Sequence, residues 1–163
     1  MSTAPESIAQ PCFRDAPVST DVARGVTRLF CRQELFAICE VPLPNGRRAD
    51  LMGVDSKGNL TIVEIKVAKA DLLGDCKWTD YLDYCDHFYW AVPPELAAIL
   101  DGEEYLPNAA GLIVADRYDA ALVRQAVHRP LAPARRKAEL LRFARRAARR
   151  LSEQLDPTLG AET

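Results

Sequence analysis

The 163-residue sequence lacks any run of about 18 apolar residues, the length that a membrane-spanning helix needs. Its N-terminal segment contains Glu6 and no apolar stretch of the signal-peptide type, so no secretory signal is predicted. None of the five cysteines forms a Cys-x-x-Cys pair, and their odd number argues against a disulfide framework or a zinc site. These absences favour a cytoplasmic protein with reduced thiols and no membrane association.

Several common catalytic motifs are missing as well. The sequence has no glycine-rich dinucleotide-binding motif, no P-loop and no His-Glu-x-x-His motif. Its five serines lie in predicted tails, caps or turns, outside any Gly-x-Ser-x-Gly nucleophile motif. The two histidines, His87 and His128, have no partner at metal-ligand spacing. Hydride transfer, P-loop NTP hydrolysis and hydrolysis by a serine triad are therefore disfavoured.

The composition, 48% hydrophobic and 27% charged, is typical of one globular domain. We expect a flexible N-terminal tail over residues 1–17, a single domain over residues 18–155 and a C-terminal tail over residues 156–163.

The net charge of −2 conceals an uneven distribution along the chain. Residues 134–155 contain eight Lys or Arg and two Glu, a net charge of +6, whereas residues 1–133 contain thirteen basic and nineteen acidic residues, a net charge of −6. A basic segment on an acidic body suggests a polyanionic partner such as DNA. The acidic body is itself a competing partner for that segment.

Hydrophobic periodicity and turn residues predict alternating helices and strands. The second and third strands are apolar on both faces, which indicates a sheet covered by helices on each side. A strand, a helix and a strand in succession imply a crossover connection, so we expect an α/β fold with a mixed sheet. The predicted order is α-βββ-α-β-(α)-β-β-α, with helices over residues 20–34, 70–85 and 133–155, a short helix over 94–100, and strands over 35–43, 47–55, 59–67, 87–93, 110–116 and 121–127.

The third strand carries Glu64 and Lys66 where apolar residues would be expected. Charged side chains are rarely buried in a strand unless they form an ion pair or take part in a function. If a five-residue loop, Asp55–Asn59, joins the second and third strands, Asp50 lies directly opposite Glu64. Opposed carboxylates repel each other, so a cation is expected between them.

A divalent cation suits this position, because Mg²⁺ is commonly held by one or two carboxylates together with water. Lys66 would lie on the same strand face as Glu64 and orient or help deprotonate a metal-bound water. Ile65 would point into the core and leave its backbone carbonyl available to the metal. The alternative is a buried ion pair without catalytic use, which stabilises a fold weakly.

The spacing from Asp50 to the Glu64-Ile65-Lys66 tripeptide resembles the active site of the PD-(D/E)XK nuclease superfamily. More specifically, four stretches are similar to the MmcB-type DNA-repair proteins, a bacterial family of that superfamily associated with resistance to DNA cross-linking damage. These stretches are GRRADLM, VEIKVAKADLLGDCKWTDYLDYCDHFYWAVP, GLIVAD and RRKAELLRFARRAARRL. Together they span roughly residues 20–152.

The resemblance implies a restriction-endonuclease-like fold in which Asp50 and Glu64 bind Mg²⁺ or Mn²⁺ and Lys66 is the catalytic lysine. Glu40 on the preceding strand is a candidate additional ligand. Ala49 stands where the superfamily name has proline, a change that removes no metal ligand.

Many relatives carry Gln-x-x-x-Tyr on the crossover helix, and the matching positions here are Lys77 and Tyr81, one helical turn apart. They are expected either to contact DNA phosphate or to cover the sheet. Arg47 and Arg48 are expected to be phosphate clamps or solvated charges.

In the last helix, an apolar stripe leaves five arginines outside it, on a side that either contacts DNA or docks on the acidic body. The arginines are Arg142, Arg145, Arg146, Arg149 and Arg150, and the stripe is Leu141, Ala144, Ala148, Leu151 and Leu155.

The function expected from the resemblance is a metal-dependent DNA endonuclease, or a related nuclease, that hydrolyses phosphodiester bonds in the repair of damage such as cross-links. The alternative is a nuclease-fold module that binds damaged or branched DNA, or docks a repair partner, without cleavage. DNA is the expected partner, with other repair proteins as candidates, and the expected location is the cytoplasm, in association with the nucleoid.

Overall fold

Six strands form one open sheet in the computed structural model, which describes residues 18–160. The predicted N-terminal tail, residues 1–17, and the last three residues of the predicted C-terminal tail lie outside the described part. The helices are α1 (Ser19–Arg32), α2 (Lys69–Gly74) and α3 (Pro133–Leu155), and the strands are β1 (Phe36–Pro42), β2 (Arg48–Val54), β3 (Leu60–Ile65), β4 (His87–Val92), β5 (Gly111–Ala115) and β6 (Ala120–Arg124). Segments of 3-10 helix cover Trp78–Tyr84, Pro94–Asp101, Glu103–Tyr105 and Pro157–Gly160.

The strands lie in chain order across the sheet. The pairs β1–β2, β2–β3 and β5–β6 are antiparallel, whereas β3–β4 and β4–β5 are parallel. The predicted α/β class, mixed sheet and element order are therefore confirmed. Among residues 18–160, no helix has the length and apolarity needed to cross a bilayer.

Helix α1 covers one face of the sheet. Its buried residues, Val22, Val26 and Leu29, recur at helical spacing and pack against Leu51 and Val63 of the central strands. This stripe is the pattern from which the helix is predicted.

A second core lies on the opposite face, under the 3-10 segments and α3. Its centre is an aromatic group in which Trp78 lies 5.1 Å from Trp90 and 5.2 Å from Phe88 between ring centroids. Such tilted and edge-to-face contacts add to the stabilisation from area burial. The strands are thus buried on both faces, as their apolar composition predicts.

The single helix predicted over residues 70–85 is wrong in detail. Helix α2 ends at Gly74, and after three residues the chain continues as the 3-10 segment Trp78–Tyr84. The Asp75 carboxylate accepts a hydrogen bond from the backbone N–H of Lys77 at 3.3 Å. Aspartate side chains that bond nearby backbone groups compete with helical hydrogen bonds, which accounts for the break.

The apolar stripe of α3 faces solvent, contrary to the usual docking of such a stripe on the core. Leu140 and Phe143 pack against the core instead, while Leu141 is 58% exposed. Arg136 and Arg150 hold this orientation, because their guanidinium groups donate hydrogen bonds to the carbonyls of Gly58 and Glu40.

The N-terminal part of α3 is anchored by the buried carboxylate of Asp86. Asp86 accepts hydrogen bonds from the backbone N–H groups of Leu60 and Leu131 and from the guanidinium group of Arg136. Burial opposes ionisation, but the donors from Arg136, Leu60 and Leu131 outweigh it and lower the pKa of Asp86. The carboxylate therefore ties together β3, the segment before α3 and α3 itself.

We expect the substitution Asp86→Asn to destabilise the fold by about 3 kcal/mol, because it leaves the Arg136 guanidinium without its counter-charge. Urea unfolding followed by circular dichroism measures the change. The exposed Asp83 provides a matched control, since Asp83→Asn should change the free energy of unfolding by less than about 0.5 kcal/mol. Equal effects of the two substitutions would contradict the anchoring role of Asp86.

Candidate functional site

The antiparallel register of β2 and β3 brings the predicted carboxylates together. Leu51 pairs with Val63 and Met52 with Ile62, so the next residues in this register are Asp50 and Glu64. The predicted hairpin register is confirmed. Asp50 is further held by the backbone N–H of Ile65, which donates to its carboxylate at 2.8 Å.

The two carboxylates line a polar cleft of about 560 Å³, whose lining also includes Ser19 at the start of α1. Ile65 and Lys66 line the same cleft, and its far wall comes from the region around α2 and the 3-10 segment Trp78–Tyr84, through Asp75 and Tyr81. Although the cleft is open to solvent, Glu64 is only 6% exposed.

Lys66 lies between two carboxylates. Its Nζ donates to Oε1 of Glu64 at 3.0 Å and lies 2.8 Å from Oδ2 of Asp75. Burial favours the neutral amine, but the Asp75 and Glu64 carboxylates outweigh it and raise the pKa of Lys66. Lys66 is therefore a cation in this arrangement.

Asp75 is a cleft residue that the sequence analysis missed. It lies in the segment predicted as continuous helix, where its contact with Lys66, nine positions earlier and directly after β3, could not be expected. The available signal was the pair Gly74-Asp75, a combination that weakens helices and favours turns.

Glu64 has an unusually high affinity for protons. Burial raises its pKa to about 7, and the neighbouring Asp50 carboxylate acts in the same direction. Burial also raises the pKa of Asp50, although the hydrogen bond that its carboxylate accepts from Ile65 acts in the opposite direction. Within residues 18–160, Oε2 of Glu64 is buried without a hydrogen-bond partner. The described residues therefore neutralise only part of the negative charge in the cleft and leave one carboxylate oxygen without a hydrogen-bond donor.

This donor set fits a hydrated divalent cation. Two carboxylates and the carbonyl of Ile65 would supply oxygen ligands, and Mg²⁺ needs only one or two carboxylates when water fills its other positions. No cluster of three or more His, Cys, Asp or Glu within residues 18–160 is placed to hold a metal ion by protein ligands alone. The cleft thus suits an ion that shares its coordination with water or substrate.

Glu40 is turned away from this cleft. Its carboxylate is 3.4 Å from the guanidinium of Arg48, and both side chains are about 60% exposed. The backbone of Glu40 is in the left-handed region, with φ 52°, and its carbonyl accepts hydrogen bonds from α3. The expected additional ligand is therefore absent from the cleft lining, because the Glu40 side chain follows the strand edge towards Arg48.

The remaining predicted contacts fall into two groups. Tyr81 is buried at the cleft, where its hydroxyl donates to the carbonyl of Arg48 at 3.2 Å, and Arg47 lines the cleft while its guanidinium bonds Asp80 at 3.1 Å. Lys77 is exposed before the 3-10 segment and does not line the cleft. The expected α-helical face shared by Lys77 and Tyr81 is wrong, because the helix breaks between α2 and Trp78–Tyr84.

The arginines of α3 lie along the helix rather than in the cleft, and most of them bond the protein itself. Arg142 pairs with Glu139 at 3.0 Å and Arg149 with Glu153 at 2.7 Å. Arg146 and Arg150 donate to the carbonyl of Glu40, and Arg145 is exposed. Their predicted contact with DNA stays a prediction.

We expect the stability of the metal-free protein to fall as pH rises from about 4.5 to 7, because the folded state holds the Glu64 proton more tightly than the unfolded chain. The loss should be on the order of 3 kcal/mol. Urea unfolding in the presence of a chelator compares wild type with Glu64→Gln, which cannot titrate. The stability difference between the two proteins should widen over this pH range, and a constant difference would contradict the raised pKa.

Comparison with known proteins agrees with the fold. A solved structure, the SPO1766 protein of unknown function from Silicibacter pomeroyi, is 42% identical and superposes with a TM-score of 0.78, covering 89% of this chain and 96% of that chain. No curated protein matches the sequence. The model of the family described as DNA repair protein MmcB-like matches residues 9–158. The chain therefore belongs to the MmcB-like family of DNA repair proteins.

Proposed function

We propose that this DNA repair protein is a metal-dependent nuclease that hydrolyses phosphodiester bonds of damaged DNA in the cleft lined by Asp50 and Glu64. The observation that carries the proposal is the opposition of the half-buried Asp50 and the buried Glu64, whose carboxylates both have raised pKa values. Like charges held together in a cleft are typical of functional sites. Membership of the PD-(D/E)XK superfamily is part of this proposal.

Asp50, Glu64 and the backbone carbonyl of Ile65 would hold Mg²⁺ or Mn²⁺. When bound, such an ion supplies an activated water and stabilises negative charge on the phosphate. The buried position of Glu64 strengthens its attraction for a cation, because few solvent dipoles compete there. The hydrogen bond from Ile65 keeps the Asp50 carboxylate turned towards Glu64.

Lys66 would orient the attacking water as a charged donor. Its raised pKa, maintained by Asp75 and Glu64, makes it a poor base near neutral pH. Asp75 then acts as a positioning residue, since it fixes the Lys66 ammonium group from the side opposite Glu64.

DNA would be held at the rim of the cleft. Arg47 lines this rim and offers a guanidinium group to a phosphate, although Asp80 competes for it. The Tyr81 hydroxyl lies beside Glu64 and Asp50; burial and those carboxylates raise its pKa, so it remains a donor. Binding through phosphates should weaken as salt concentration rises.

The second candidate is a module that binds damaged or branched DNA, or a repair partner, without cutting DNA. The observation that favours it is the pairing of Lys66 with both Glu64 and Asp75, which partly neutralises the carboxylates without a metal. Such buried pairs also occur without catalytic use.

The decisive experiment incubates the purified protein with single-stranded, duplex, flap and cross-linked DNA, with and without Mn²⁺. We expect Mn²⁺-dependent cleavage of at least one form, reduced about 100-fold or more by Asp50→Asn or Glu64→Gln, because each variant removes a charged metal ligand. Mn²⁺ should also raise the melting temperature of wild type but not of Asp50→Asn, since an ion that binds only the native state stabilises it.

Asp83→Asn is the control for both readouts, because Asp83 is exposed outside the cleft lining. Cleavage that survives Asp50→Asn would show that the site is wrong. A wild type that binds DNA but cuts none of the four forms would establish the second candidate.

We expect Asp75→Asn to lower the cleavage rate about tenfold and to leave the Mn²⁺-induced shift in melting temperature unchanged. Loss of the Asp75 charge lowers the pKa of Lys66, so Lys66 loses its proton at a lower pH. The decline of the cleavage rate at alkaline pH should therefore begin at a lower pH in the variant than in wild type. The control is Asp83→Asn, an exposed carboxylate outside the cleft lining. If the cleavage rate declines at the same alkaline pH in wild type and in Asp75→Asn, the positioning role of Asp75 is contradicted.

A further inference from the structure

Helix α3 exposes the apolar side chains that a surface helix normally buries. Leu141 and Leu151 are each 58% exposed, and Leu155 is 79% exposed. They lie on one stripe at spacings of ten and four residues, with the exposed Ala144 and Ala148 between them. An apolar patch of this kind on a protein surface is typical of an interaction site.

Leu141 and Ala148 of this stripe line one wall of a groove of about 620 Å³, and Leu151 and Leu155 continue the stripe along α3 beyond the groove lining. The other wall is the C-terminal end of β1, with Val41 and Pro42, and β1 is an edge strand of the sheet. On the α3 side, Leu141 and Ala148 supply apolar surface to this groove. Both walls of the groove therefore carry apolar surface.

The groove is positively charged along its length. Arg142, Arg145 and Arg149 line it. Glu139 and Glu153 pair with Arg142 and Arg149, but the whole segment from residue 134 to residue 155 keeps a net charge of +6. An occupant should therefore carry acidic groups beside an apolar stripe.

Duplex DNA does not match both properties of the groove. Phosphates would engage the arginines but would leave the exposed leucines without an apolar partner. Apolar and arginine side chains together are instead typical of the central part of protein interfaces.

A second copy of this chain is disfavoured by charge. Pairing of two α3 helices across their leucine stripes would bring the arginines of one copy close to those of the other. Like charges facing each other across an interface cost several kcal/mol. The partner therefore has the opposite sign of charge.

We propose that the groove between α3 and the end of β1 binds an acidic amphipathic helix of another protein. The leucines of α3 would contact apolar residues one turn apart on that helix, and Arg142, Arg145 and Arg149 would contact acidic residues at its flanks. This surface is separate from the cleft, so the inference stands whether or not the protein cleaves DNA.

The test uses a fluorescein-labelled synthetic helix of 21 residues as probe, with leucines at every third or fourth position and glutamates beside them. Fluorescence polarisation should show saturable binding that weakens as salt rises. Leu141→Gln and Leu151→Gln should each weaken it about tenfold, as truncation of a central contact does. Leu122→Gln on β6, at a leucine that is 37% exposed, should leave the affinity unchanged.

Three further measurements separate the alternatives. A probe with lysine in place of glutamate should not bind, and equal binding of both probes would overturn the charge argument. Absence of binding at 1 mM acidic probe would overturn the proposal. If light scattering shows a dimer that Leu151→Gln dissociates, the surface belongs to a second copy instead. If Arg145→Ala lowers the affinity for duplex DNA tenfold and leaves the affinity for the acidic probe unchanged, the surface belongs to DNA.

Discussion

The candidate site depends on the register between β2 and β3. The connecting turn sets this register, because the Asp55 carboxylate accepts hydrogen bonds from the backbone N–H groups of Lys57 and Asn59, and Gly58 adopts φ 80°. Only a residue without a Cβ takes that backbone conformation at little cost. A slip of one residue would place Asp50 and Glu64 on opposite faces of the sheet. The turn chemistry thus determines whether the two carboxylates meet.

Two buried carboxylates of this protein have opposite electrostatic character. Asp86 receives hydrogen bonds from two backbone N–H groups and one guanidinium group, and its pKa is lowered. Glu64 receives one hydrogen bond, from Lys66, and has another carboxylate beside it, so its pKa is raised. Burial is common to both residues, and the number of donors makes the difference. Asp86 is accordingly a structural anchor, whereas Glu64 is the residue that we propose as a metal ligand.

Much of the fold follows from local patterns. The three-stranded meander, the order of elements along the chain and helix α1 are predicted because period-two and period-3.6 patterns with clear turn residues leave few alternatives. The central pair of the site is predictable for the same reason, since hairpin register depends on a short turn. The helix over residues 70–85 is not, because its break depends on Asp75, which bonds the Lys77 backbone and reaches Lys66 on another element.

The sequence by itself determined the mixed sheet, the opposition of Asp50 and Glu64, and the amphipathic character of α3, since each depends on residues close together in the chain. Only the tertiary structure decided how Lys66 is held and which face of α3 packs on the body. Periodicity shows that a helix has two faces, but contacts distant in the chain choose between them. Here the hydrogen bonds from Arg136 to the β2–β3 loop and from Arg150 to β1 hold the face with Leu140 and Phe143 against the body, so the leucines of the stripe remain in solvent.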